Sequence, residues 1–268
     1  MKVSPWALLT SFLAGALLLF LALPLGALLT RALSSGQLWA SLTSPVIADA
    51  LLLSLVTTFV SLVVIVALGT PLALVLARRE FRGRELVETL VDLPIVLPPS
   101  VAGLGLLLAF GRRGAIGEPL DALGVAIPFT TVAVVLAQIF VSAPFYVRAA
   151  RAGFRSVDRE VEDAARVDGA GSWALLRRVT VPLAWPAIGA GLVLAWARAL
   201  GEFGATIMFA GNITGRTQTL PLVVYSEFQV SVDSSVAAAA VLVLAALGIL
   251  VGVRLTRWRS ALDLRTLS

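Results

Sequence analysis

The chain has no cysteine, no histidine and, among its 268 residues, a single lysine, Lys2. Without cysteine there is no disulfide framework, no thiolate metal site and no cysteine nucleophile. Without histidine the Ser-His-Asp arrangement, imidazole proton relays and most metal sites also fall away. Carboxylates, hydroxyls and arginines are what remain for chemistry, which argues against an intramembrane enzyme, as does the lack of any Ser-Lys or paired-Asp arrangement in the apolar runs. A phosphate-binding loop ending in Gly-Lys-Ser/Thr needs a lysine that these residues do not supply, so ATP chemistry would have to come from another chain. Charge is scarce as well: 14% of residues are charged and 59% hydrophobic, with a mean hydropathy of +0.96. That composition excludes an ordinary soluble domain and defines an integral membrane protein.

A spanning helix needs about 20 apolar residues to cross about 30 Å of hydrocarbon. Six runs qualify, at about residues 7–30, 47–77, 93–110, 127–147, 187–210 and 234–253. The expectation is an all-α protein of six transmembrane helices in one domain, 1–268, with its first run a retained span rather than a signal peptide. The second run carries Ser54, Thr57, Thr58 and Ser61 at helical spacing on one face, which suits interhelical hydrogen bonding or a pore lining. The third, from Asp92 to Phe110, is interrupted by Pro94, Pro98, Pro99, Gly103 and Gly105. Proline deletes backbone donors and clashes with the preceding turn. This run is therefore a kinked helix packed in the bundle, or an irregular segment facing a wet cavity, and Pro98, Pro99 and Gly103 are candidate pathway residues.

The charges fix an orientation. With both termini inside, the inner segments hold 16 basic residues, the outer segments four (Arg31, Arg112, Arg113 and Arg216), and Arg198 lies within a span. The positive-inside rule therefore places the termini, the RREFRGR cluster from Arg78 to Arg84 and the loop at 148–186 in the cytoplasm. The net charge of +5 is thereby assigned to topology rather than to nucleic acid. Gly111–Val125 is read as a loop with a short interfacial helix, and Gly211–Asp233 as a polar loop; both are outer segments suited to a docking partner.

The longest polar interruption runs from Ser156 to Pro186. Ser156 can cap a helix with Asp158 and Glu160 in its first turn. Val157, Val161, Ala164 and Ala165 give that helix an apolar stripe, and Gly169 permits the left-handed turn that ends it. Ser172 can cap a second short helix containing Trp173, Leu175 and Leu176, which Pro182 and Pro186 stop before the next span. In the fifth run, Arg198 and Glu202 stand one turn apart, either lining a pathway or forming a structural ion pair.

Asp163-Ala164-Ala165, three residues, Gly169, nine residues, then Val179-Thr180-Val181-Pro182 resembles the EAA loop of ABC importer permeases, with Asp163, Val179 and Val181 as conservative departures. The segments DLPIVLPPSVAGLGLLLAFG (Asp92–Gly111), FVSAPFYVRAA (Phe140–Ala150), ARALGEFGATIMFAGN (Ala197–Asn212) and GRTQTLPLVVY (Gly215–Tyr225) resemble the molybdate-type permeases, related to those for sulfate and thiosulfate. The resemblance implies a type I importer permease in the cytoplasmic membrane, assembled as a homodimer with cytoplasmic ATPase subunits that bind ATP and Mg. It also implies an extracytoplasmic binding protein that delivers molybdate or tungstate. Asp163, Ala164, Ala165, Gly169, Ala170, Trp173 and Pro182 would then couple the chain to the ATPase, with no cofactor or metal of its own. A sulfate permease, or an ATPase-independent anion channel or secondary transporter, is the alternative.

Overall fold

A computed structural model of the chain describes residues 5–263, which contain helices and no strand. Five of the helices are long and apolar enough to cross a membrane, and a sixth crossing results if one bent pair counts as a single span. The chain divides into two compact units, Met1–Asp49 with Leu220–Ser268, and Ala50–Thr219.

The first unit opens with α1 (Pro5–Ser34) and the short α2 (Gln37–Leu42). The most apolar window of α1 is wholly unburied within the protein, so packing within the chain leaves that surface open, as suits a helix of spanning length. Helix α3 (Pro45–Arg78) leads into the second unit, which continues through α4 (Arg84–Val96), α5 (Pro99–Phe110), α6 (Gly117–Ala122) and α7 (Thr131–Ser156). Next come α8 (Arg159–Val167), α9 (Ser172–Leu175), a π-helical turn (Leu176–Thr180), α10 (Val181–Leu200) and α11 (Gly204–Phe209). The chain then returns to the first unit with α12 (Leu220–Phe228) and α13 (Val232–Asp263). There Arg31 pairs with Asp233 at 2.9 Å, the Ser234 hydroxyl donates to Gln37 and the Ser235 hydroxyl to the Val224 carbonyl.

Helix α7 is the axis of the second unit and belongs to both of its apolar clusters. Toward one end, Tyr146, Val147, Ala150 and Phe154 pack with Ile65 and Leu76 of α3 and Ile188 of α10. Toward the other, Ala133, Val134, Ala137 and Val141 pack with Leu106 of α5 and Phe209 of α11. Small residues set the closeness: a Cβ on Gly191 of α10 would lie 2.7 Å from the Ala149 Cβ, and one on Gly153 2.8 Å from that of Ala187. In a bilayer, where apolar burial drives helix association little, such close backbone packing is a main source of cohesion. The hydroxyl stripe of α3 adds polar glue. Ser61 donates to the Gln138 side chain at 3.0 Å, Gln138 donates to Thr58, and all three are buried. Thr57 bonds back to the Leu53 carbonyl of its own helix. The stripe thus serves interhelical bonding at Ser61 and Thr58.

Several sequence expectations are corrected. Ser156 closes α7 instead of capping the next helix; the cap is Asp158, whose carboxylate accepts from the Glu160 N–H at 3.0 Å. Gly171, not Ser172, occupies the cap position of α9, with no side-chain bond. Pro182 and Pro186 do not stop a helix before the fifth run: α9, the π turn and α10 form one stretch, Ser172–Leu200. Proline is tolerated in a first helical turn, and the wider π turn ahead of Pro182 relieves its clash with the carbonyl four residues earlier. The fifth run is itself interrupted after Leu200, and the third is a pair of helices bent by 119°. Gly211–Asp233 is not simply a polar loop, because it contains α12 with Leu220, Leu222 and Val223 buried. Its apolar stretch is too short to span a membrane but long enough to form a helix packed in protein.

Candidate functional site

Two places in the second unit gather the candidate residues. The first is the loop between α7 and the π turn. Val157 anchors its start in the apolar cluster, 5% exposed, and Gly169 turns the chain after α8 at φ +88°, a conformation that costs a residue with a Cβ about 1–2 kcal/mol. Helix α8 is inverted relative to its apparent amphipathicity. Its one buried residue is Glu162, 5% exposed, whereas Val161 is 46% and Val167 87% exposed.

The burial is explained by bonding. Glu162 Oε1 accepts from Arg78 Nη2 at 2.7 Å, at the end of α3, and from the Thr180 hydroxyl at 2.6 Å, at the end of the π turn. Charge-assisted bonds of this kind are what permits a carboxylate to leave water. Asp163 pairs with Arg166 on the exposed side of α8. Among the sequence candidates, Asp163, Ala164, Gly169, Trp173 and Pro182 are exposed, and Ala165 and Ala170 are half-buried. Trp173, 71% exposed, joins Val161 and Val167 in leaving apolar surface uncovered. Behind the loop lies a cavity of about 520 Å³ lined by Arg78, Arg79, Arg159, Glu162, Asp163 and Arg166, among others.

The second place is where two helix breaks meet. Helices α4 and α5 are separated at Leu97-Pro98, and α10 and α11 at Gly201–Phe203. The halves after the breaks are in contact. A Cβ on Gly204 would lie 2.7 Å from the Pro99 Cβ, and one on Gly103 would lie 2.7 Å from both the Ala205 carbonyl and the Met208 Cβ. Glu202, 1% exposed, sits in the second break; its Oε1 accepts from the Ala205 N–H at 2.7 Å, and its Oε2 lies 2.5 Å from Arg198 Nη1. One carboxylate thereby caps the backbone of α11 and balances the arginine closing α10, whose side chain is 29% exposed. Pro99, Gly103 and Glu202 are thus brought to one junction with Arg198 paired to it, while Pro98 is exposed at the start of α5.

Sequence reasoning missed Glu162, Arg78, Thr180 and Gly204. Glu162 adjoins the motif and was legible only as one more solvated acid; Gly204 carried a signal in the Gly201-Glu202-Phe203-Gly204 run, which is poor helix-forming sequence.

Irregular backbone inside a membrane bundle is found where it is buried in protein or lines a cavity, and broken helices facing one another are a hallmark of transporters. Fold and site together define a multi-pass transport protein. Over residues 69–262 the sequence matches the family described as binding-protein-dependent transport system inner membrane component, and the chain belongs to that family. It is 45% identical over 236 residues to the molybdenum transport system permease protein ModB of Mycobacterium tuberculosis, covering 88% of this chain and 89% of that one. It is 43% identical over 244 residues to a probable molybdenum ABC transporter permease protein of Haloferax volcanii, covering 91% and 87%. The fold is that of ABC importer permeases: the crystal structure of a bacterial ABC transporter involved in alginate import superposes with a TM-score of 0.76 at 20% identity, covering 95% of this chain and 96% of that one.

Proposed function

We propose that this chain is the permease subunit of an importer for a tetrahedral oxyanion, molybdate or tungstate, driven by ATP hydrolysed in partner subunits. The observation that carries the reading is the 45% identity to a molybdenum permease along nearly the whole of both chains. A second copy of the chain completes the pathway, two cytoplasmic ATPase subunits hold ATP and Mg, and an extracytoplasmic binding protein delivers the anion. The charge count puts the α8 loop on the ATPase side, where the uncovered Val161, Val167 and Trp173 provide a docking face.

In this reading Asp163, Ala164, Ala165, Gly169, Ala170, Trp173 and Pro182 belong to the ATPase-coupling element. ATP closes the ATPase pair, the two α8 loops move together, and the bundle opens outward to the loaded binding protein; hydrolysis resets it. The paired break acts as the gate. Pro98 and Pro99 start one half-helix, Gly103 lets the halves close together, and Glu202 holds the start of the other while partly neutralising Arg198. A balanced arginine attracts an anion without trapping it, as conduction requires.

Reconstitution tests this. The chain, co-purified with its ATPase and supplied with its binding protein in proteoliposomes, is expected to accumulate molybdate only with ATP, and to be inhibited by excess tungstate but not by sulfate. Uptake that proceeds without the ATPase subunit would instead establish a channel or secondary transporter.

A further inference from the structure

Helix α8 contributes no residue to either apolar cluster of its unit, and its single buried side chain is Glu162. One oxygen of that side chain, Oε1, receives both Arg78 and Thr180. Arg78 is the last residue of α3 and Thr180 the last of the π turn leading into α10. The Arg78 and Glu162 side chains are 19% and 7% exposed, so the bond is partly shielded from water although a cavity adjoins it. A push on α8 therefore reaches two membrane helices through one carboxylate oxygen. It meets the second at a π turn, a widened helical turn of the kind that often marks a functional site.

We infer that Glu162 is the positioning residue that links the loop to the spans: through its shared oxygen, displacement of α8 is converted into movement of α3 and α10. This rests on the coupling reading given above and extends it from the exposed docking face to a specific internal joint. Docking and transmission are then separate properties of α8. The outward residues bind the ATPase, and Glu162, facing inward, passes the motion on.

The separation gives the test. In the reconstituted complex, Glu162→Ala is expected to leave ATPase co-purification and basal hydrolysis intact while lowering molybdate uptake per ATP hydrolysed about tenfold, the scale of a typical coupling energy. Glu162→Gln keeps an oxygen that can accept from both partners, and is expected to stay within about threefold of the parent on that same scale. Thr180→Val, which removes only the bond toward α10, should fall between the two and covers the case in which the alanine variant does not fold. Unchanged uptake per ATP in Glu162→Ala and Thr180→Val would overturn the inference, as would loss of uptake only in step with loss of assembly. Failure of the parent chain to bind an ATPase at all would instead refute the underlying coupling reading.

Discussion

Gly103 and Gly169 are constrained for opposite reasons, and substitution separates them. Gly103 has an ordinary helical backbone but no room, since an added Cβ would meet the Ala205 carbonyl and the Met208 Cβ at 2.7 Å. Gly169 has room, with nothing within 4 Å of an added Cβ, but holds φ at +88°. Valine at Gly103 must therefore push α5 from α11, an overpacking cost of about 1–3 kcal/mol. Asparagine, which tolerates the left-handed region, costs well under about 1 kcal/mol at Gly169. The expected outcome is that Gly103→Val loses its monodisperse size-exclusion peak at a clearly lower temperature than the parent chain, whereas Gly169→Asn does not. Equal behaviour of the two variants would mean that the α5–α11 contact is not tight. Size exclusion suits this chain because it has no cysteine for thiol-reactive stability dyes.

At the scale of the element, α8 shows how far a sequence pattern carries and where it fails. Its exposed side offers Val161 and Val167, with Trp173 following on α9, and under the proposed coupling reading a charge placed there disrupts docking while leaving the bonds of Glu162 in place. Val167→Asp combined with Trp173→Asp is expected to reduce ATPase co-purification about tenfold or more, the loss typical of central apolar anchors in an interface, while the permease remains folded. Full recovery of the ATPase would remove this face from the contact. The placement of Asp163 to Pro182 along the chain, and the turn at Gly169, were legible because motif spacing and glycine conformation are local properties. The inversion of α8 was not. The stripe of Val157, Val161, Ala164 and Ala165 reads as a core face, but only Val157 reaches the core; burial of α8 is decided by Arg78 and Thr180, 84 and 18 residues away from Glu162. Proline misled in a similar way. Pro182 reads as a helix stop, yet the preceding π turn absorbs its steric demand, and a turn of that kind leaves no mark in local composition. The break at Gly201–Phe203 was hidden for the opposite reason, because its apolar flanks completed a span-length run on both sides.

For the whole molecule, the distribution of arginine makes a definite statement about sidedness. Every residue of the 78–84 cluster and of the α8 region falls on one side of the bilayer if the segments at 111–125 and 211–219 fall on the other, and the excess of basic charge puts the first group inside. The contacts of the second unit agree with this grouping. Arg78 reaches Glu162 and Glu88 reaches Arg151, so residues assigned to one side bond among themselves. At the opposite end, the Thr131 hydroxyl donates to the Arg216 carbonyl, and Arg112 approaches Asp121. Because the chain has no cysteine, a single introduced thiol can be labelled without background. Thr214→Cys, exposed in the segment before α12, is expected to react with a membrane-impermeant maleimide on intact spheroplasts. Asp168→Cys, exposed beside Gly169, is expected to react only after permeabilisation. The reverse pattern would put the α8 loop outside, beyond reach of any cytoplasmic ATPase, and would refute the coupling role proposed for Glu162 together with the docking role proposed for Trp173.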